Sequence, residues 1–341
     1  MGERTTNPHR TVVTQFRMPS PHQQPYRLIH ISDPHLSYRY YPEHLASFRL
    51  LLKAIVEHGC DHLLITGDIV STADPADFLL AREILSQFDL LHSSKLTVVP
   101  GNHDIFGGPH RAIDVLSFPQ YIRSVDYSRH LRLFIQTFEE TFDRCTYPAR
   151  GYHFPFLKQV GPFVILGINS VPPWSLWNNP FGSSGAIQGN QWNALLELQG
   201  QLLPQGKIFV AALHHHLYSS LHQYASNYPM WRLIEQQTMR IRKRTTVLRL
   251  FKSLGIRYIF HGHIHRNELY LRNGLRCING AGAVCDDSIP WLKFNTLTYT
   301  QDTCTLRIQC LPIPFQQFSP SLQVQKVLEN WHTENMVPVT T

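Results

Sequence analysis

Tyr26-Arg27-Leu28-Ile29-His30-Ile31-Ser32-Asp33-Pro34-His35 decides the fold. Its centre has the length and the Leu/Ile content of a buried strand. It ends in a carboxylate and an imidazole two residues apart. Pro34 favours extended backbone at Asp33, so the strand stops there. Alternate residues on an extended chain point the same way, so Asp33 and His35 can grip one ion together.

Four more polar clusters follow apolar runs. Gly67-Asp68 ends a strand predicted over 62–66, and Gly101-Asn102-His103-Asp104 follows one over 95–99. His214-His215-His216 follows a run over 208–213, and Gly262-His263-Ile264-His265 follows one over 256–260. Each cluster supplies carboxylate, imidazole or carboxamide, the groups that divalent metals take. In parallel α/β sheets, binding groups collect at the carboxyl ends of strands. Five such clusters therefore predict one site at one sheet edge. Gly67, Gly101 and Gly262 let the backbone turn sharply or approach an ion or phosphate closely.

Between the strands, helical periodicity predicts helices over 44–58, 76–88, 191–201 and 246–254. Strand–helix alternation predicts a layered βαβ core. The segment 106–150 is less regular, with a helix expected over 129–144 and strands over 151–155 and 163–169. Residues 171–189, rich in Pro, Gly, Asn, Ser and Trp, read as a loop. Asn273-Gly274 signals a tight hairpin over 269–278, and a second hairpin is expected from 294–299 and 303–310. Residues 1–25 read as a disordered arm, 26–311 as one domain and 312–341 as a tail.

The chain has 341 residues, 43% hydrophobic and 16% charged, which fits a soluble globular protein with a large core. Its net charge of +7 favours anionic partners. The six cysteines include no CxxC pair, which argues against a thiolate zinc site and for a reducing compartment. No stretch approaches the roughly 20 apolar residues of a membrane span, and the first 25 residues lack a signal-peptide core. A cytoplasmic location is the expectation. The basic run Arg240, Arg242, Lys243, Arg244, Arg249 and Lys252 reads as the solvated face of a helix rather than a nucleic-acid site. Tyr218, Tyr224, Tyr228 and Trp231, with Trp174 and Trp177, either cap a pocket or pack as ordinary loop residues.

Taken in order, D-x-H, G-D, G-N-H-D, an apolar strand ending in His, and G-H-x-H resemble the calcineurin-like metallophosphoesterases. The flanks Thr66-Gly67-Asp68-Ile69-Val70 and Val99-Pro100-Gly101-Asn102-His103-Asp104 are most similar to the branch of bacterial class III cyclic-nucleotide phosphodiesterases. The resemblance runs from about His30 to about Cys310. It implies a four-layer α/β/β/α sandwich, two mixed sheets flanked by helices.

The resemblance also implies a role for each residue. Asp33, His35 and His265 would hold one metal. Asn102, His263 and a histidine of the triplet would hold a second, and Asp68 would bridge them. Relatives often read Ala-Leu-His-His-Pro, which favours His214 over His215 as ligand. His216 departs from that pattern, and His215 is left for substrate contact. His103 and Asn102 would face the substrate. His103 would protonate the leaving group or stabilise the phosphoryl oxygens, with Asp104 orienting it or its loop. Two ions of Mn, Fe, Zn or Co would activate water for attack on phosphorus.

The implied activity is hydrolysis of a phosphodiester or monoester, with 3′,5′-cyclic nucleotides as one candidate. An alternative is a lipid-linked pyrophosphate of the UDP-2,3-diacylglucosamine type; many of its hydrolases carry Arg where this chain has His103. A non-catalytic scaffold is the third reading, and the intact ligand set argues against it. The expected partner is a small phosphoester. Nucleic acid is disfavoured, while peripheral membrane contact and homodimerisation stay open.

Overall fold

The computed structural model describes residues 12–15, 24–109, 112–199, 201, 206–217, 240–265, 267–280, 282–284, 291–300 and 303–312. Along the chain, β1 (Val12–Gln15) and β2 (Tyr26–Ile31) precede α1 (Pro42–Glu57), β3 (His62–Ile65) and α2 (Pro75–Gln87). Then come β4 (Leu96–Val98), α3 (Asn102–Phe106), α4 (Ala112–Ser124), α5 (Tyr127–Thr137) and a 3-10 turn, Glu139–Phe142. The second half holds β5 (Phe156–Val160), β6 (Phe163–Gly167), α6 (Gly189–Gln199), β7 (Ile208–Ala212) and α7 (Arg244–Ser253). It closes with β8 (Ile256–His261), β9 (Asn267–Arg272), β10 (Leu275–Gly280), β11 (Trp291–Thr300) and β12 (Thr303–Pro312).

These strands form two mixed six-stranded sheets. The first runs β1-β12-β11-β2-β3-β4 and the second β5-β6-β7-β8-β10-β9. In the first, β2, β3 and β4 are parallel. In the second, β6, β7, β8 and β10 are parallel. The sequence alternation along the second sheet shows how the layers stack. Phe163, Ile165, Val210, Ala212, Tyr258 and Phe260 join the core between the sheets. Their neighbours Val164, Leu166, Phe209, Ala211 and Ile259 pack instead with Leu195 and Leu198 of α6 and Val247 and Phe251 of α7. Successive side chains on a strand face opposite ways, so a strand apolar at every position must be covered on both faces. On the first sheet, Phe48, Leu51, Leu52 and Ile55 of α1 complete the outer layer. The result is the expected four-layer α/β/β/α sandwich.

Several local expectations change. Helix α1 starts at Pro42, a residue whose fixed φ suits the first turn. Val12–Gln15, inside the arm expected to be disordered, pairs antiparallel with Leu306–Thr303 of β12, where its β-branched residues extend the sheet. No strand forms over 151–155; the strand is β5, whose Lys158 is buried and so breaks the apolar pattern. Helix α4 carries Pro119 in its interior, which hid it from sequence reading. The helix expected over 129–144 ends at Thr137 and continues as the 3-10 turn. Asn273 and Gly274 both take positive φ, 50° and 80°, as the hairpin turn between β9 and β10 requires. Arg242, Lys243, Arg249 and Lys252 are exposed, in line with a solvated face. Most of the segment 216–239 and nearly all of the C-terminal tail lie outside the described residues.

Candidate metal centre

All five clusters meet at the carboxyl ends of parallel strands. The first sheet delivers Asp33 and His35 after β2, Asp68 after β3, and Asn102 and His103 after β4. The second delivers His214 after β7 and His263 and His265 after β8. The connecting loops are laced together before any ligand is considered. Asp33 N donates to Gly67 O at 3.0 Å and His35 N to Asp68 O at 3.0 Å, extending the β2–β3 pairing past the strands. Gly262 N donates to His214 O at 2.9 Å, tying the loops after β7 and β8. His263 N donates to both Asp33 carboxylate oxygens at 3.1 Å, which joins the two sheets at the site.

Two glycines are needed where these loops touch. A Cβ on Gly101 would sit 2.2 Å from Asp68 Oδ1, and one on Gly262 would sit 2.1 Å from Asp33 Oδ2. No other residue lets the backbone come so near a carboxylate. Four site residues also adopt left-handed backbone: Asp33 (φ 56°), His35 (φ 45°), Asp68 (φ 49°) and His263 (φ 76°).

The side chains converge in three overlapping groups. They are Asp33 with His35 and His265, His35 with Asp68 and His103, and Asp68 with His214 and His263. His35 Nε2 lies 2.9 Å from His265 Nε2. His214 Nε2 lies 3.0 Å from His263 Nδ1, 3.1 Å from Asn102 Oδ1 and 3.2 Å from Asp68 Oδ2. Spacings of about 3 Å are those of neighbouring ligands roughly 2.1 Å from a shared ion. His263 Nε2 is buried with no hydrogen-bond partner. Asp68 and His35 each belong to two of the groups.

Hydrogen bonds orient the rings. His214 Nδ1 donates to Thr66 O at 2.8 Å, which leaves Nε2 as the atom that faces the cluster. His103 Nδ1 donates to Ser71 O at 3.2 Å, and its backbone N donates to Asp68 Oδ1 at 2.7 Å. Burial holds His35 and His263 well below the usual histidine range, so both are neutral and able to bind a cation. Burial raises Asp33. Burial also works against charge on Asp68 and His214, but their mutual attraction overrides it: Asp68 is held well below the usual carboxylate range and His214 is pushed up to about 9. That ion pair is the arrangement of the metal-free cluster. A dication would take the place of the proton.

The remaining predicted residues stand apart. His215 Nδ1 bonds Ser170 Oγ at 2.9 Å, away from the cluster's shared atoms, while its ring lies 4.6 Å from that of His263. Among the triplet, His214 is the histidine grouped with Asp68 and His263. Asp104 is fully buried and accepts from Gly101 N at 2.8 Å and Val70 N at 3.0 Å, so it braces the loops that carry Asn102 and Asp68. Burial, then the Asp68 charge, pushes Asp104 up to about 8. Sequence reasoning missed Ser170, whose Oγ accepts from His214 N and His215 N at 3.2 Å. The signal was present as Asn169-Ser170, two buried polar residues at the end of an apolar strand.

The sequence matches the calcineurin-like phosphoesterase family over residues 26–267. The chain belongs to that family. It is a metallophosphoesterase by family, and its clusters of His and Asp are groups that could hold metal ions. No curated protein matches the sequence. Among solved structures, the chain is similar to a dimetal phosphatase from Danio rerio, with TM-score 0.51 and 12% identity over 84% of this chain and 98% of that one. It is also similar to a purple acid phosphatase from yellow lupin seeds, with TM-score 0.52 and 13% identity over 88% of this chain and 54% of that one. A Staphylococcus aureus protein described as a candidate 5′-nucleotidase aligns at TM-score 0.45 and 12% identity, over 91% and 58% of the two chains. The metallophosphoesterase thus spans little more than half the length of the last two. These likenesses bear on the fold. No helix among its described residues is long and apolar enough to cross a membrane.

Proposed function

We propose that this metallophosphoesterase hydrolyses a small phosphodiester or monoester, 3′,5′-cyclic nucleotides among the candidates. Asp33, His35 and His265 would hold one divalent ion, Asn102, His214 and His263 would hold the second, and Asp68 would serve both. The observation that carries the reading is the convergence of these atoms, from both sheets, on one cluster that is buried except at His265. When bound, the ions supply a water nucleophile at neutral pH and positive charge against the phosphoryl oxygens. Mn, Fe, Zn and Co all suit an oxygen and imidazole set without thiolates.

The chain's own groups do the rest. Asn102 and the histidines orient the phosphoryl group by position. Asp104 and Ser170 keep the loops from drifting. His103, with Nδ1 committed to Ser71 O, has Nε2 left to give a proton to the departing oxygen. His215, near His263 but bonded to Ser170, supports the loop and borders the substrate.

The experiment is chelation followed by reloading with Mn, with metal content and hydrolysis of bis-p-nitrophenyl phosphate measured together. Two equivalents of metal and turnover are expected. Asp68→Asn is expected to bind less than one equivalent and to lose at least about a hundredfold in rate. A fully loaded wild type that hydrolyses no member of a phosphoester panel would refute the reading.

A further inference from the structure

A cleft of about 450 Å³ opens next to the loop that carries His103. Its walls include Tyr38, Arg39, Tyr40, Phe118 and Tyr121, with Asp74 and Asp77. Its position relative to the chemistry is fixed by the backbone. Ser37–Tyr40 begin two residues after His35. Gly107 and Gly108 line the cleft, and Gly108 packs against the His103 imidazole so closely that a Cβ there would lie 2.1 Å from Cε1. Gly108 therefore separates the cleft from the His103 ring by no more than its own backbone.

We propose that this cleft receives the leaving alcohol and that it is built for an uncharged, nucleoside-like one. The inference rests on the phosphoester hydrolysis proposed above. In an in-line displacement the water oxygen bonds to phosphorus as the P–O bond to the alcohol breaks, and the departing oxygen takes the bonding pair. The proton it needs comes from His103, so it emerges at His103 and the alcohol's body falls into the adjacent space. The products are the free alcohol and phosphate, or, from a diester, the free alcohol and the remaining phosphomonoester.

The lining chooses the alcohol. Phe118 and Tyr121 rings lie 6.0 Å apart in stacked orientation, and the Arg39 guanidinium sits 5.9 Å from the Tyr40 ring centroid. Aromatic faces and guanidinium planes are the surfaces on which bases stack. Tyr121 is 47% exposed, so its ring is presented rather than packed away. The carboxylates are already engaged: Asp74 accepts from Ala76 N at 2.8 Å, and Asp77 accepts from Tyr38 N at 3.0 Å and Thr72 Oγ1 at 2.5 Å. They repel a second phosphate, so a leaving group that is itself a nucleotide is disfavoured. The volume is in the range of ordinary small-ligand sites.

The test compares two diesters on the Mn-loaded protein, adenosine 5′-(methyl phosphate) and the aliphatic glycerophosphoethanolamine. Wild type is expected to favour the adenosine diester at least tenfold in kcat/KM, and Tyr121→Ala and Arg39→Ala are each expected to cut that ratio by about tenfold. Adenosine should inhibit glycerophosphoethanolamine hydrolysis competitively, and less so in Tyr121→Ala. A wild-type ratio near one, or a ratio unmoved by both variants, overturns the proposal while leaving the hydrolase reading intact. If neither diester is cleaved by fully loaded protein, the phosphoester panel decides the hydrolase reading and calorimetry with adenosine decides the cleft. Binding that Tyr121→Ala weakens supports it, and no binding overturns it.

Discussion

Replacing Lys158 by Met should change how the protein's stability depends on pH. Lys158 lies on β5, the edge strand of the second sheet, and is 2% exposed. Its ammonium donates to Leu96 O at 2.7 Å and Thr97 Oγ1 at 3.2 Å on or beside β4, the edge of the first sheet, and to Thr141 O. It thus bridges the two sheets beneath the strand that delivers Asn102 and His103. No carboxylate is among these acceptors. Burial draws its pKa down from 10.5 to about 8. Below about pH 8 the lysine is protonated both folded and unfolded, and the cost of burying the charge is constant. Between about pH 8 and 10.5 only the unfolded chain holds the extra proton, so this group's contribution to stability rises with pH. At about 1.36 kcal/mol per pH unit, the full rise is about 3 kcal/mol. Lys158→Met removes that slope. It also strands three acceptors, at about 1 kcal/mol or more each, which shifts the whole curve without tilting it. Reversible urea unfolding at pH 7.5, 9 and 10.5, with identical metal content, reads the difference between the two proteins. Wild type should gain about 3 kcal/mol on the variant across that range. Curves that stay parallel within about 0.5 kcal/mol would refute the buried-ammonium argument.

Two further substitutions separate proton transfer from metal binding. His103→Gln should lower kcat by about 10²–10⁴ with metal content unchanged, and the loss should be greater for an alkyl ester than for a p-nitrophenyl ester. A loss of bound metal on the same scale would make His103 a ligand instead. Gly108→Ala inserts a methyl group against the His103 ring and should lower kcat at least about tenfold while two equivalents of metal still bind. Unchanged turnover would show that His103 need not keep its present position.

The strand ends were legible because each ended an apolar run in a residue type that is costly to bury without a partner. Asp33, Asp68 and His263 announce themselves that way. The layered architecture followed from helices alternating with strands apolar at every position. Other features were hidden for identifiable reasons. Lys158 interrupts the apolar pattern of β5, since its partners, Leu96 and Thr141, are distant in sequence. Pro119 disguised α4. The order within the triple histidine was not readable from spacing, because the choice depends on Thr66 O fixing one ring and Ser170 holding the next. The cleft beside His103 draws Tyr38, Asp77 and Tyr121 from three separate loops and helices, and nothing local marks them as neighbours.

Asp33, His35, Asp68 and His263 take backbone conformations that glycine or asparagine would occupy at less expense, with a penalty of about 1–2 kcal/mol each. The set therefore stores several kcal/mol, comparable to the net stability of an ordinary domain. An engineer who ranked every position by backbone comfort would replace these four first and gain heat resistance by discarding the chemistry. Thermostable variants should instead be sought in the helical outer layers, with these four turns left in their strained geometry.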